Sequence, residues 1–158
     1  MSNNESLRYV FVICLVTGAR WSEAENLKLV NCINQGFQFV DTKNGTSRFV
    51  PVSQYWFNFV QFRLGQGNFK PCYAAYRSAF KRSGLIVPAG QLAHILRHTF
   101  ASHFVMNGGN IVALQRILGH SSLNVTMRYS HLSPDYLNQA IQFNPLARIN
   151  ESGKKVES

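Results

Sequence analysis

The chain has 158 residues, 46% of them hydrophobic, enough for one substantial core and too few for a second, so a single domain is expected. Its formal charge of +9 directs attention to polyanionic partners. No apolar run reaches the roughly 18 residues of a membrane span, and the longest, Tyr9 to Val16, is broken by Thr17-Gly18-Ala19-Arg20; the expectation is a cytoplasmic protein with no membrane partner.

Taken in order, Glu5 to Val16 carries enough apolar residues for a buried helix, and Gly18 suits its C-terminal cap. Ser22-Glu23-Ala24-Glu25 has the form of a capping box, with Ser22 as cap and Glu25 reaching back, which sets Arg20 in a short turn between helices. Cys32 to Val40 and Arg48 to Val52 are rich in β-branched and aromatic residues. They predict strands joined across Asp41-Thr42-Lys43-Asn44-Gly45-Thr46, where Asn-Gly is a hairpin signal and Lys43 lies near the tip.

Beyond the hairpin the pattern turns helical. Ser53 to Arg63 is apolar and aromatic, Gly65-Gln66-Gly67-Asn68 is a loop, and Pro71 to Arg82 is a basic amphipathic helix opened by proline. After a loop from Gly84 to Gly90, Leu92 to Met106 forms the longest helical pattern, closed by Asn107-Gly108-Gly109. Asn110 is placed to cap Ile111 to Leu118, and Ser122 to cap a short helix through Tyr129. Ser133-Pro134-Asp135 reads as the start of a helix from Tyr136 to Phe143, with Leu137, Ala140 and Ile141 on one face. The expected class is α+β, mainly α-helical with a small antiparallel β-sheet or hairpin near residues 32–52.

Cys14, Cys32 and Cys72 are odd in number and widely spaced among apolar or neutral neighbours, which indicates buried, reduced thiols and neither a disulfide framework nor a zinc cluster. Charge is unevenly spread. Between Asp41 and Asp135 there is no acidic residue, while Lys43, Arg48, Arg63, Lys70, Arg77, Lys81, Arg82, Arg97, Arg116, Arg128 and all five histidines fall there. A one-sign stretch of this kind suits a phosphate backbone, bound through counterion release. Net charge alone leaves an inert basic surface about equally open.

The residue types add chemistry. Attack on a phosphodiester by a protein nucleophile passes through a phosphorane with extra negative charge, which fixed cations stabilise. Arg20 and Arg97 are the best candidates for that. His94 and Arg97, three apart in one helical pattern, are expected on the same face. His120 follows Gly119 at a helix end, where its ring can point into a cleft. Lys43 suits protonation of a leaving 5′ oxygen, with Arg48 as its competitor on the same hairpin. Tyr129 can act as a covalent phosphate carrier, with Tyr136 and Tyr73 as rivals. His98 and His103 are expected to satisfy buried hydrogen bonds, and His131 is open. Taken alone, Arg20 reads better as a cation just past a helix C-terminus.

Thr17-Gly18-Ala19-Arg20-Trp21-Ser22-Glu23, Thr42-Lys43-Asn44-Gly45 leading to Arg48-Phe49-Val50-Pro51, His94-Ile95-Leu96-Arg97-His98-Thr99-Phe100-Ala101, Leu118-Gly119-His120-Ser121-Ser122 and Thr126-Met127-Arg128-Tyr129-Ser130-His131 together resemble the successive motifs of the tyrosine recombinase (phage integrase) catalytic domain. All five occur in the family's order, from about the first helix to residue 143. The resemblance implies that fold and an active site of Arg20, Lys43, His94, Arg97, His120 and the nucleophile Tyr129, with Glu23 as a structural acid near Arg20. It implies no metal and no cofactor.

It implies double-stranded DNA attachment sites as partner, a tetramer working through a Holliday junction, and residues 133–143 docking on a neighbouring protomer, in a bacterial host whose DNA-bending and directionality proteins can take part. The expected layout is a catalytic domain over residues 1–148 and a disordered polar tail over 149–158, without the core-binding and arm-binding domains such recombinases carry ahead of it. Such a fragment is expected to bind DNA weakly and with little sequence preference. A type IB topoisomerase, which reseals the same strand, and a non-catalytic DNA-binding module are the alternatives.

Overall fold

The computed structural model describes residues 3–40 and 47–134. Helix α1 (Asn3–Thr17) runs through the centre, with Val10 and Ile13 fully buried and contacts to α2, α3, α4 and α5. It ends as expected at Gly18, whose amide donates to the Cys14 carbonyl and whose φ of +66° is a left-handed cap conformation. A side chain has no room there: a Cβ on Gly18 would lie 2.5 Å from Cδ1 of Phe100 and 2.8 Å from Cδ2 of Leu118.

The cap of α2 (Trp21–Glu25) sits two residues earlier than the sequence pattern predicts. Arg20 is the N-cap residue, and the Glu23 carboxylate accepts from its amide at 2.7 Å, so the reaching-back acid is Glu23. Glu25 is used elsewhere. Its Oε1 accepts from Trp21 Nε1 at 3.1 Å and from the Cys72 amide at 2.8 Å, joining α2 to the start of α4 while Trp21 stacks on Tyr76.

The expected sheet is present with one strand more than the pattern shows. Strands β1 (Cys32–Ile33), β2 (Gly36–Val40) and β3 (Ser47–Pro51) pair antiparallel in that order. A two-residue turn at Asn34 and Gln35, both at positive φ, divides what reads as one strand from 32 to 40; asparagine tolerates this conformation, and paired positive φ values match the twist of the flanking strands. Phe37 and Phe39 point inward from β2, each burial contributing roughly 2–3 kcal/mol. The predicted Asn44-Gly45 turn and Lys43 lie outside the described residues.

The remaining helices are α3 (Gln54–Gly65), α4 (Tyr73–Ser83), α5 (Ile95–Met106), α6 (Ile111–Leu118) and α7 (Leu123–Met127). Asn110 caps α6 by accepting from the Val112 and Ala113 amides, and Ser122 Oγ accepts from the Asn124 amide at the start of α7. Helix α7 stops at Met127, short of Tyr129, which begins a 3₁₀ turn over Ser130–Leu132. The helix expected from Tyr136 to Phe143 and the polar tail lie outside the described residues.

Two apolar clusters hold these elements. The larger gathers α1, α2, the sheet, α3 and α4, while the smaller joins Ala101 and Val105 of α5 to Leu114 and Leu118 of α6 and the ring of Tyr129. Cys14, Cys32 and Cys72 are free, buried thiols. No helix among the described residues is long and apolar enough to cross a membrane.

The basic stretch is not wholly surface. Arg77, Lys81, Arg82, Arg116 and Arg128 are exposed, whereas Arg63 and Arg97 are buried. Arg63 donates to the Gly67 carbonyl at 2.8 Å and lies over the rings of Tyr9 and Phe69, so it serves the core and not a partner.

Candidate active site

Three chain turns meet at Arg97. This residue is 5% exposed in the first turn of α5, and its planar fork donates to the Gly18 carbonyl at 2.9 Å and the Leu118 carbonyl at 2.6 Å. One carbonyl precedes Arg20 by two residues and the other precedes His120 by two. A single guanidinium therefore holds the turn carrying Arg20 beside the turn carrying His120.

The His120 turn is shaped by its own backbone. Gly119 takes a φ of +68°, and the Gly119 and His120 amides donate to the Arg116 and Gln115 carbonyls, a double closure that ends α6 and swings the imidazole away from the helix axis. His120 Nδ1 then lies 2.8 Å from the buried Thr126 Oγ1, which fixes the ring against α7. Burial, followed by the charges of Arg97, Arg20, Arg128 and Arg48, pushes the His120 pKa down to about 4. It is a neutral imidazole at neutral pH.

Glu23 organises the guanidiniums around it. Its Oε1 accepts from Arg20 Nη1 at 3.1 Å and from Arg48 Nη1 at 2.8 Å, and its Oε2 accepts from Arg48 Nη2 at 2.6 Å. Arg48 also donates through Nε to the Ile117 carbonyl at 2.7 Å and lies over the Phe39 ring, so β3 is tied to the end of α6. This use of Arg48 in holding the site together differs from the expected rivalry with Lys43. Burial pushes the Arg97 pKa down to about 10, and the neighbouring Arg20 and Arg48 push the same way. Cations crowded to this degree are prepared to receive an anion. An open cleft of ≈ 810 Å³ adjoins Arg20, lined also by Ser22, Asn26, Lys28 and Gln38.

Tyr129 is 6% exposed, its ring in the smaller core cluster and its hydroxyl 2.5 Å from His98 Nδ1. Burial raises its pKa, partly offset by Arg128 and Arg97. His98 was expected only to satisfy a hydrogen bond in the core; it is half-buried, and its partner is this hydroxyl. His103, expected in the same role, is exposed. His94 is the N-cap residue of α5, exposed, with its ring 6.3 Å from that of His98. The i, i+4 spacing of His94 and His98 was the available signal for that pairing. The partners of Arg48, Glu23 and Ile117, lie 25 and 69 residues away, so its role in holding the site has no local signal, whereas Thr126 is six residues from the His120 ring it meets.

Of the residues proposed from sequence, the structure brings Arg20, Arg97, His120 and Tyr129 into one neighbourhood and sets His94 at its exposed edge, while Lys43 lies outside the described residues. Residues 59–135 match the Phage integrase family. The integrase of Escherichia phage 186 is 47% identical over 150 residues, which cover 95% of this chain and 45% of that protein, so the chain spans about half the length of the curated relative. A solved structure of the XerH site-specific recombinase bound to palindromic difH substrate, 21% identical with a TM-score of 0.64, covers 90% of this chain and 47% of that one and shares the fold alone. The catalytic domain of bacteriophage HP1 integrase superposes with a TM-score of 0.79 at 42% identity, over 90% of this chain and 84% of that domain. With that identity across most of a solved catalytic domain and the arginine, histidine and tyrosine motifs gathered at one centre, the chain belongs to the phage integrase family.

Proposed function

We propose that this chain is the strand-cleaving domain of a site-specific recombinase that integrates and excises phage DNA at attachment sites. The observation that supports it best is the Arg97 fork, which keeps the Arg20 and His120 turns together beside the buried hydroxyl of Tyr129. In this reading Tyr129 Oη attacks the scissile phosphorus, and the bond from phosphorus to the 5′ oxygen breaks. The products are a 3′-phosphotyrosyl link and a 5′-hydroxyl, with the proton for the leaving oxygen coming from Lys43. Arg20 and Arg97 neutralise the non-bridging oxygens, and His94 and His120 hydrogen-bond them. A 5′-hydroxyl from the partner duplex then attacks the phosphotyrosine and releases Tyr129.

The phosphotyrosyl link conserves the bond energy, so the exchange assigns no role to ATP or any cofactor. The same reading takes double-stranded DNA as substrate in the bacterial cytoplasm. It takes a tetramer on two sites as the working assembly, residues 133–143 as the segment that docks on a neighbouring protomer, and host DNA-bending and directionality proteins as accessories.

The test is covalent capture on nicked suicide duplexes of random core sequence. The expected outcome is a protein–DNA adduct lost in Tyr129→Phe and retained in Tyr136→Phe, with reciprocal strand exchange between two intact duplexes by the full-length protein, which a topoisomerase does not perform. Equal adduct in Tyr129→Phe would overturn the reading.

A further inference from the structure

The hydroxyl of Tyr129 and the ring of His98 form the closest side-chain contact that the nucleophile makes with a titratable group among the described residues, at 2.5 Å between Oη and Nδ1. We propose that His98 is the general base of the cleavage step, taking the phenolic proton of Tyr129 on Nδ1 as Oη bonds to phosphorus. The proposal rests on the recombinase reading above and names a residue for a proton that reading leaves without a destination.

Geometry supports the assignment first. A general base must lie within hydrogen-bond reach of the proton it removes, no more than roughly 3.2 Å between heavy atoms, and among the histidines His98 meets this. His120 has its Nδ1 committed to Thr126, and the exposed His94 has its ring 6.3 Å from that of His98. The position of His98 is also fixed. It follows Arg97 in α5, and its amide donates to the His94 carbonyl at 2.9 Å, so the guanidinium and the imidazole leave adjacent points of one rigid helix turn.

Electrostatics agrees. Burial, then His94, Arg128 and Arg97, hold the His98 pKa below the ordinary imidazole value, so the ring is neutral and has a lone pair to offer at neutral pH. The charged or titratable groups acting on it are His94 and Arg97 from its own helix and Arg128 and Tyr129 from the segment after α7. A phosphodiester bound nearby brings negative charge that offsets those cations and raises the affinity of His98 for the proton.

The step balances. The O–H bond of Tyr129 breaks, its proton moves to His98 Nδ1, the phenolic oxygen bonds to phosphorus, and the 5′ oxygen leaves with a proton from Lys43. Nδ1 accepts only in the tautomer with its proton on Nε2. In the return step, attack by a 5′-hydroxyl expels Tyr129, and the imidazolium gives the proton back.

Four measurements decide it. Nitrogen-15 NMR of the wild-type chain at pH 7 is expected to show His98 Nδ1 unprotonated and Nε2 protonated; a protonated Nδ1 overturns the proposal and needs no variant that folds. Single-turnover cleavage of a duplex captured by the wild type is expected to fall about 100-fold in His98→Asn, which keeps a hydrogen-bonding atom near the Nδ1 position but is no base. The pH profile separates a base from a merely structural residue: His98→Asn should lose the acid limb of the wild type and instead rise about tenfold per pH unit. A 5′-bridging phosphorothiolate, whose sulfur leaves without a proton, should restore Lys43→Ala and not His98→Asn. Cleavage by His98→Asn within about threefold of wild type, or its rescue by the phosphorothiolate, overturns the proposal while the recombinase reading stands. A wild type that forms no adduct on any duplex overturns both.

Discussion

Glu23 and Arg48, 25 residues apart, form a two-point ion pair at 2.6 and 2.8 Å with both side chains largely withdrawn from solvent, and this pair binds the sheet to the turn that carries Arg20. Removing one partner leaves the other charge buried. Arg48→Ala is therefore expected to cost about 3 kcal/mol in urea unfolding, more than an exposed salt bridge could contribute. It should also weaken the hold on the Ile117 carbonyl next to the His120 turn. A loss under about 1 kcal/mol would show that the pair contributes little.

The same pair sets an acid limit. Burial alone would raise the Glu23 pKa, but the hydrogen bonds and charge of Arg48, with the Arg20 amide and charge, outweigh it and leave the carboxylate below its ordinary value. A depressed carboxylate contributes stability that is full above the unfolded-state pKa of roughly 4.3 and is lost as pH falls through the lower folded value. Denaturant midpoints measured downward from pH 5 should fall in the wild type and respond less in Glu23→Gln. Parallel curves would dismiss the linkage.

His120 acts in the neighbouring window with the same sign. Its folded pKa of about 4 lies below the unfolded 6.5, so between those values the unfolded chain binds more protons and stability drops as pH falls. The proton NMR signal of its ring should titrate with a midpoint near 4 in the free chain and higher in Arg128→Ala, where one repelling cation is gone. A midpoint near 6.5 would mean that neither burial nor the cations act on this ring.

Gly18→Ala probes the close packing beneath Arg97. The new methyl meets Phe100 and Leu118 inside contact distance at a φ of +66°, so both overpacking and backbone strain oppose it. The expected loss is about 2–3 kcal/mol in urea unfolding, and an unchanged midpoint would be inconsistent with this packing.

The thiols should be inert while the chain is folded. Burial raises Cys14 strongly, Cys32 to about 11 and Cys72 to about 12, and at Cys14 and Cys72 nearby acidic groups add to it, so little reactive thiolate exists at pH 7.5. Mass spectrometry after iodoacetamide treatment should show the native chain unmodified and the chain in urea carrying three adducts. Rapid labelling of any one in the native state would contradict the packing around it.

Local order was open to reading in the amino-acid sequence wherever a residue acts through its own backbone. Gly18 and Gly119 end helices because their left-handed conformation favours glycine, and Asn110 and Ser122 begin helices because a short polar side chain can accept from amides two or three residues on. The order of the arginine, histidine and tyrosine motifs was likewise legible, since it needs only the one-dimensional chain. Near misses came where two local solutions compete: Ser22 with Glu25 and Arg20 with Glu23 both satisfy the start of α2, and Asn34 turns a strand that its apolar neighbours could have continued.

Tertiary structure alone decided which groups meet. Arg97 reaches the Gly18 carbonyl across 79 residues, Arg48 the Ile117 carbonyl across 69, and His98 the Tyr129 hydroxyl across 31. Capping and turn formation are settled by interactions within a few bonds, which sequence spacing encodes directly. A buried cation or hydroxyl instead takes whichever partner the packed core brings within hydrogen-bond reach, and that choice exists only once α1, α5, α6 and the sheet have closed on one another.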